Sequence, residues 1–471
     1  MTALALVSCM AVAADVTFNI RLVGESDPFA GSPFYAEVWA EGDYAYVGSD
    51  RSGQGISIFN ISNPASPQFL TMYPGSEMED VEVYNGIGYF GSDVSVSVGT
   101  GVDIVDLSNP ANPVMLSRVN GLNGGHNKVH TLSVSNGFLY TVDNATDVVK
   151  IFNVADPSDP QFVASLDLGA PANVASHEII AANGRVYVAS KWNGSQTCCG
   201  WTHIYDVSNV GTTGPVLLKA FESGPRTHTS LPNEDGQLLL VAEERPNGEL
   251  HIYDISMIDE PNDPDRPVLL KTLNRENVGI DAHSPHRPQV LGNLLFVSWY
   301  EAGVHVFNIA DPANPVHVGA FDTYPGTSTS YYGAWGVYPF LGLDKVLVGD
   351  RQRGLIIVDA TNVLSPGDYN QDGLVDAADY VVWRKMLGES GAGLAADGNG
   401  NGEIDPGDYD VWRANFGRTV AAASRAASTH VVGARPPRLG EPTAAVPEPA
   451  SVVLLFIFLA AVAARMRTSC R

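Results

Sequence analysis

The feature that most constrains this sequence is a phrase it repeats. GVDIVDLSNPANPVMLSRVNG, at 101–121, sets an alternating apolar run against Asp106, then an Asn/Pro cluster, then a second short apolar run. Period-two alternation predicts a half-buried strand, and the Asn/Pro cluster predicts the turn that ends it. A hairpin of this kind cannot bury its own apolar face. It needs copies, and the chain supplies them at 55–70, 148–163, 201–218, 250–270, 303–318 and 354–362. The closing Asp or Asn falls at Asn60, Asp106, Asn153, Asp206, Asp254, Asn308 and Asp359, so neighbours stand 46 to 54 residues apart. An upstream half recurs as well, at 38–50, 81–93, 132–144, 179–190 and 290–299, with Asn-Gly turns at Asn85-Gly86, Asn136-Gly137 and Asn183-Gly184. Asn-Gly between apolar runs is a strong hairpin signal, because both positions tolerate positive φ.

Two upstream strands and two in the phrase make four per unit, in seven units. That period predicts a mainly-β fold, a seven-bladed β-propeller of four-stranded blades. The last unit stops after Asp359 without an outer strand, and VTFNIRLVG at 16–24 is left over at the other end. The N-terminal strand is therefore expected to complete the last blade and leave no sheet edge open. VDIVD (102–106) and LIIVD (355–359) resemble the LVIVD repeat, a family of secreted or surface propeller repeats. The resemblance covers roughly 15–362 and implies a fold and a location more than a reaction.

Net charge is −25, from 27 basic and 52 acidic residues, which argues against nucleic acid as a partner. Four cysteines are too few for a disulfide scaffold. Cys198 and Cys199 are adjacent, and a vicinal disulfide, a metal contact or a plain loop all remain open. Residues 1–14 read as a secretory leader with a small-residue site at Ala11-Val12-Ala13.

Beyond the repeats, two twelve-residue runs have the spacing of calcium loops. Asp368, Asn370, Asp372, Asp376 and Asp379 hold positions 1, 3, 5, 9 and 12, with the Leu374 carbonyl at 7. Asp397, Asn399, Asn401, Asp405 and Asp408 repeat the pattern, with the Glu403 carbonyl at 7. Alternating oxygen donors on a tight loop converge on one hard cation. An aromatic helix is expected after each loop, at 380–387 and 409–416. The segment 366–417 resembles a type I dockerin, which implies a small all-α module, two Ca²⁺ ions and docking to a cohesin-like protein. The pairs carried over as partner-recognising are Ala377-Ala378 and Pro406-Gly407. A calcium-stapled stalk without a cohesin is the other reading.

Residues 418–446 read as a disordered linker rich in Ala, Arg and Pro. An apolar helix and Arg465 follow Pro447-Glu448-Pro449 in the last stretch, 447–471. That order resembles the PEP-CTERM sorting signal. It implies export, a C-terminal membrane segment, transient or permanent, and processing by exosortase-type machinery at the cell surface. A plain membrane anchor is the alternative.

One constellation offers chemistry in the propeller. His130, His177, His228 and His283 each precede a predicted innermost strand, with His126 and His286 nearby. Glu37, Glu79 and Asp80 hold the matching places in the first two units. Residues at one repeat position would line a channel mouth. Imidazoles and carboxylates there could bind a transition metal, or the histidines could pack neighbouring blades. Glu243-Glu244 read as solvated charges at a loop end. No GxSxG, HExxH, Walker loop or CxxC occurs. The leading expectation is an exported interaction protein whose propeller holds an unidentified ligand, and the alternative is a metal-dependent propeller oxidoreductase or hydrolase.

Overall fold

A computed structural model describes residues 17–418, apart from 31–33, 95–98, 170–173, 193–198, 260–265, 281–282, 325, 327–329, 371–373, 392–393 and 400. The leader, the linker past Arg418 and the C-terminal signal lie outside the described residues. No helix among the described residues is long and apolar enough to cross a membrane.

Among the described residues, the repeats and the N-terminal strand form 28 strands in seven four-stranded sheets. Blade 1 is Tyr35–Glu41, Tyr44–Ser49, Ile56–Asn60 and Gln68–Tyr73, and the next five blades follow the same meander. Blade 7 runs Ala334–Tyr338, Val346–Asp350 and Gly354–Asp359, and its outermost strand is Arg21–Ser26. The N-terminal strand thus closes the ring. It pairs antiparallel with Gly354–Asp359, and Phe18 adds a two-way backbone bridge to Ala320 of blade 6.

The recurring Asp/Asn has a local cause. Each of the seven side chains accepts the N–H two residues on: Asn60 from Ser62, Asp106 from Ser108, Asn153 from Ala155, Asp206 from Ser208, Asp254 from Ser256, Asn308 from Ala310 and Asp359 from Thr361. These Asx turns stop the third strand and start the connection to the fourth. The Asn-Gly turns behave as their chemistry demands, with φ of 54° and 74° at Asn85 and Gly86.

The cores lie between blades. Tyr46, Ile56 and Ile58 of blade 1 pack on Val81, Val83 and Phe90 of blade 2. Tyr35, Val38 and Phe59 pack on Leu347, Leu355 and Ile357 of blade 7. Each blade buries its faces only against neighbours, which lets a chain of this length fold without one oversized core.

The module after the propeller has two helices, Ala377–Met386 and Pro406–Asn415. Both begin three residues before the expected starts. Asp376 and Asp405 act as N-caps, and Asp379 and Asp408 complete capping boxes from position N3. The last residue of each loop is therefore already helical.

Candidate functional sites

At one end of the propeller the innermost strands present a ring from one repeat position: Glu79, His130, His177, His228, His286 and Trp335. His177 and His228 sit on bulges within their strands, between Ser176 and Glu178 and between Thr227 and Thr229. Successive imidazoles are 4.3 Å apart, centroid to centroid, from His130 through His177 and His228 to His286. His286, not His283, is the fourth member. The innermost strand of blade 6 begins at Pro288, and His286 N–H bonds the Ser298 carbonyl as His130 N–H bonds that of Val142. His283 stands three residues upstream and packs edge-on against Tyr331. His126 pairs with Asp143 instead.

One residue further along each strand lies a second tier, containing Glu37, Asp80, Thr131, Glu178, Thr229 and Arg287. Arg287 ion-pairs with Glu37 at 2.5 Å, Glu178 at 2.7 Å and Asp80 at 3.3 Å. One guanidinium therefore ties blade 6 to blades 1, 2 and 4 inside the channel. Burial pushes the Glu37 carboxyl up to about 7 even beside Arg287. Burial also opposes ionisation of Glu178, but Arg287 and His228 hold it down at about 2.

A third set comes from the ends of the second strands: Asp50, Asp93, Lys191, Glu244, Tyr300 and Arg351. Asp50, Asp93, Glu244 and Arg351 donate their N–H to the carbonyls of Phe34, Glu77, Arg226 and Gly333, two residues before Ala36 of blade 1 and the ring members Glu79, His228 and Trp335. This shared bond marks them as equivalent. Arg351 pairs with Asp50 at 2.5 Å and lies over Trp335 at 4.7 Å. Glu244 accepts from Tyr300 Oη at 2.9 Å and from Lys191 Nζ at 3.3 Å. Glu243 is fully buried and paired with Arg245 and His251. Glu243 is therefore buried within its own blade and Glu244 is held at the mouth, so neither is a free charge at a loop end. The sequence signal was present, because Glu244 aligns with Asp50 and Asp93, but only strand register reveals it.

The imidazoles divide by charge. Burial alone would lower His130, but Asp93 and Glu79, both 3.3 Å from its Nδ1, raise it to about 9. Burial and neighbouring cationic groups drive His177 and His286 well below the usual histidine range, and burial lowers His228. His177 Nδ1 and His286 Nε2 are buried without a hydrogen-bond partner. Ligand atoms of His177, His228 and Glu244 lie within 4.8 Å of one another, and so do those of Glu79, Asp93 and His130. Neutral imidazoles beside a carboxylate can bind a transition metal or accept a proton. Cys198 lies outside the described residues. Cys199 is disulfide-bonded, so it is not a metal contact, and its partner lies outside the described residues.

In the helical module the two loops are near-copies. Asp379 accepts from Asn370 N at 2.9 Å and Asp376 N at 2.8 Å. Asp408 accepts from Asn399 N at 3.1 Å and Asp405 N at 2.8 Å. Trp383 Nε1 of the first helix bonds the Asp405 carbonyl in the second loop, and Trp412 Nε1 bonds the Asp376 carbonyl in the first. Asp368, Asp379, Asp397 and Asp408 are all buried. Burial, with Asp397 close by, raises the Asp408 carboxyl above its usual range. An all-oxygen set of this kind fits a hard cation. Asp372 lies outside the described residues. Ala377, Ala378 and Pro406 are exposed at the helix starts, and Gly407 is half-buried.

Comparison with known proteins agrees with both parts. The type I dockerin domain model matches residues 366–413, and the LVIVD repeat model matches 36–74 and 94–121. The chain therefore carries LVIVD repeats and a dockerin type I domain. No curated protein matches significantly. Among solved structures, that of U3-55K is 11% identical, with a TM-score of 0.52, over 72% of this chain and 98% of that one. A Lactobacillus plantarum protein is 13% identical, with a TM-score of 0.49, over 64% and 86%. The computationally designed Ika8 protein is 10% identical, with a TM-score of 0.46, over 72% and 99%. At such identities the likeness to U3-55K shows fold alone.

Proposed function

We propose that this protein is an exported docking protein, with a propeller that holds a ligand or partner and a calcium-loaded dockerin that fastens it to a cohesin-like protein. The observation that carries this reading is the duplicated loop-and-helix unit with its reciprocal tryptophan bonds. Asp368, Asn370, Asp372, Asp376, Asp379 and the Leu374 carbonyl would hold one Ca²⁺. Asp397, Asn399, Asn401, Asp405, Asp408 and the Glu403 carbonyl would hold the other. A bound Ca²⁺ would supply the positive charge that lets these carboxylates stay buried and ionised, and Asp376 with Asp379 and Asp405 with Asp408 would hold the helix starts against it. Ala377-Ala378 and Pro406-Gly407 would then face the partner. They are small and largely apolar, so the partner surface should lack the polar partners that a hydroxyl pair demands. Pro447-Glu448-Pro449 and Arg465 support sorting to the cell surface by exosortase-type machinery.

Calcium titration of the full chain tests this. Two ions per chain are expected, and Asp368→Ala with Asp397→Ala should abolish both and melt the two helices. Retention of full stoichiometry and helix signal by that double variant would overturn the assignment. A second reading, a propeller enzyme that uses a transition metal, is favoured by two buried ring nitrogens without a hydrogen-bond partner at the channel mouth, His177 Nδ1 and His286 Nε2.

A further inference from the structure

The hydrogen-bond order at the channel mouth fixes where two lone pairs point. His286 Nδ1 lies 2.7 Å from the Trp335 carbonyl, so it carries the proton and donates it. His286 Nε2 is then a bare lone pair, buried and without a partner. Thr229 uses its hydroxyl proton on the Glu178 carboxylate. Its oxygen therefore accepts from His228 Nδ1, 2.8 Å away. His228 Nε2 is thereby also a bare lone pair, and it faces Glu244 Oε2 at 4.0 Å. A carboxylate oxygen and an imidazole lone pair that face each other repel unless a cation lies between them. Anchoring one ring nitrogen on a carbonyl or hydroxyl while the other stays bare is how metal-bound histidines are held.

We propose that His177, His228 and Glu244 bind one divalent transition-metal ion at the mouth of the propeller channel, with His286 Nε2 flanking it. The three ligand groups come from adjacent blades, two innermost-strand bulges and one second-strand end, so the ion bridges blades 4 and 5. Two imidazoles and one carboxylate suit Zn²⁺, Cu²⁺ or Fe²⁺ and not Ca²⁺, which takes oxygen alone. Donor atoms that span up to 4.8 Å must draw in by about 1 Å to reach metal–nitrogen bonds of about 2.1 Å. Lys191, 3.3 Å from Glu244 Oε2, is the cation that the metal displaces. Three protein ligands leave a coordination position open toward the mouth, where a small ligand could enter. His177 would meet the ion through Nδ1, which has no hydrogen-bond partner, while its Nε2 stays bonded to His130 Nε2 at 3.0 Å. Neither His130, engaged by Glu79, Asp93 and that bond, nor His283, outside the ring, belongs to the set.

The test uses the full chain, stripped with chelator, reloaded with Zn²⁺ or Cu²⁺ alone, desalted and measured by elemental analysis. One transition-metal ion per chain is expected, in addition to calcium. His228→Asn and Glu244→Gln should each weaken binding at least tenfold, while His283→Asn leaves it unchanged. The Cu²⁺-loaded protein should show nitrogen hyperfine structure from two imidazoles, reduced to one in His228→Asn. Calcium stoichiometry and melting temperature report whether each variant is folded, and loss of calcium alone would count against the docking reading and not this one. A folded wild-type chain that retains no transition metal would overturn the site. Full metal retention in the folded double variant His228→Asn/Glu244→Gln would do the same.

Discussion

Arg287 reaches across the propeller channel to Glu178, with Nη2 2.7 Å and Nε 2.8 Å from one carboxylate oxygen. The same guanidinium meets Glu37 and Asp80, so one side chain from blade 6 ion-pairs with carboxylates from three other blades. All three carboxylates are buried. Arg287→Met would remove the cation that all three share, and removing one partner of a buried ionic cluster costs about 3–5 kcal/mol. Denaturant unfolding should show that loss. Adding Glu37→Gln, Asp80→Asn and Glu178→Gln to Arg287→Met should recover much of it, because the penalty lies in the stranded charge. An unchanged midpoint for Arg287→Met would remove the ion cluster from any account of ring closure.

Acid should loosen the propeller through buried neutral imidazoles away from the mouth. Burial pushes His203 and His317 down to about 4 and His305 well below the usual range. Their folded pKa values lie below the unfolded value, so the unfolded chain takes up protons first as pH falls. The stability they contribute is complete above roughly pH 6.5 and is lost as pH drops toward about 4. Glu82 has the opposite sign. Burial raises it to about 8, so its contribution is complete below roughly pH 4.5 and is lost as pH rises to about 8. His203→Gln should flatten the acid side of a stability–pH curve by roughly 1–3 kcal/mol, and Glu82→Gln should flatten the alkaline side. If both variants run parallel to wild type from pH 4 to 8.5, these groups do not set the pH dependence.

The blades were legible because each carries its own turn chemistry. Asp106 stops a strand by bonding Ser108, and Asn85-Gly86 turns one back, and both are local events that a sequence states directly. The paired loops were legible for the same reason, since Asp397 to Asp408 is one turn of chain. The mouth was only partly so. His130, His177 and His228 keep one distance from recognisable strands, but blade 6 carries two histidines ahead of a short innermost strand that starts at Pro288, so the ring position falls on His286 and not His283. Arg287 could not be read as the partner of Glu37, because that pair exists only after the ring closes. Glu244 read as solvated because a loop-end charge ordinarily is, and its seat beside Tyr300 and Lys191 depends on blades 4 and 6.

The reciprocal bonds of Trp383 and Trp412 couple the two loops of the dockerin module. Each indole N–H is spent on a carbonyl in the other loop, at 2.9 and 2.7 Å. Trp383→Phe keeps the ring and loses the donor, which costs about 1 kcal/mol of that contact and loosens the Asp405 end of the second loop. Calcium affinity should fall several-fold at the second loop first and less at the first loop, and Trp412→Phe should reverse that order. Equal weakening of both loops by both variants would mean that the indoles act through packing alone.

Closure by the N-terminal strand makes the whole ring depend on a few residues far from the site. Arg21–Ser26 covers Gly354–Asp359 along its length, and Arg21 Nη2 meets Asp359 at 2.6 Å. Without that strand, Leu355, Ile356, Ile357 and Val358, all fully buried, would sit on an open sheet edge. An uncovered apolar edge is a template for pairing with another chain. Deleting residues 17–26 should therefore lower the melting temperature and make the protein associate in a concentration-dependent way, measured by light scattering. A synthetic peptide of residues 17–26 added in excess should bind the deleted protein and suppress the association, because the groove it leaves is the shape of that strand. Monomeric behaviour of the deletion variant at an unchanged melting temperature would show that the first strand decorates the seventh blade without closing it.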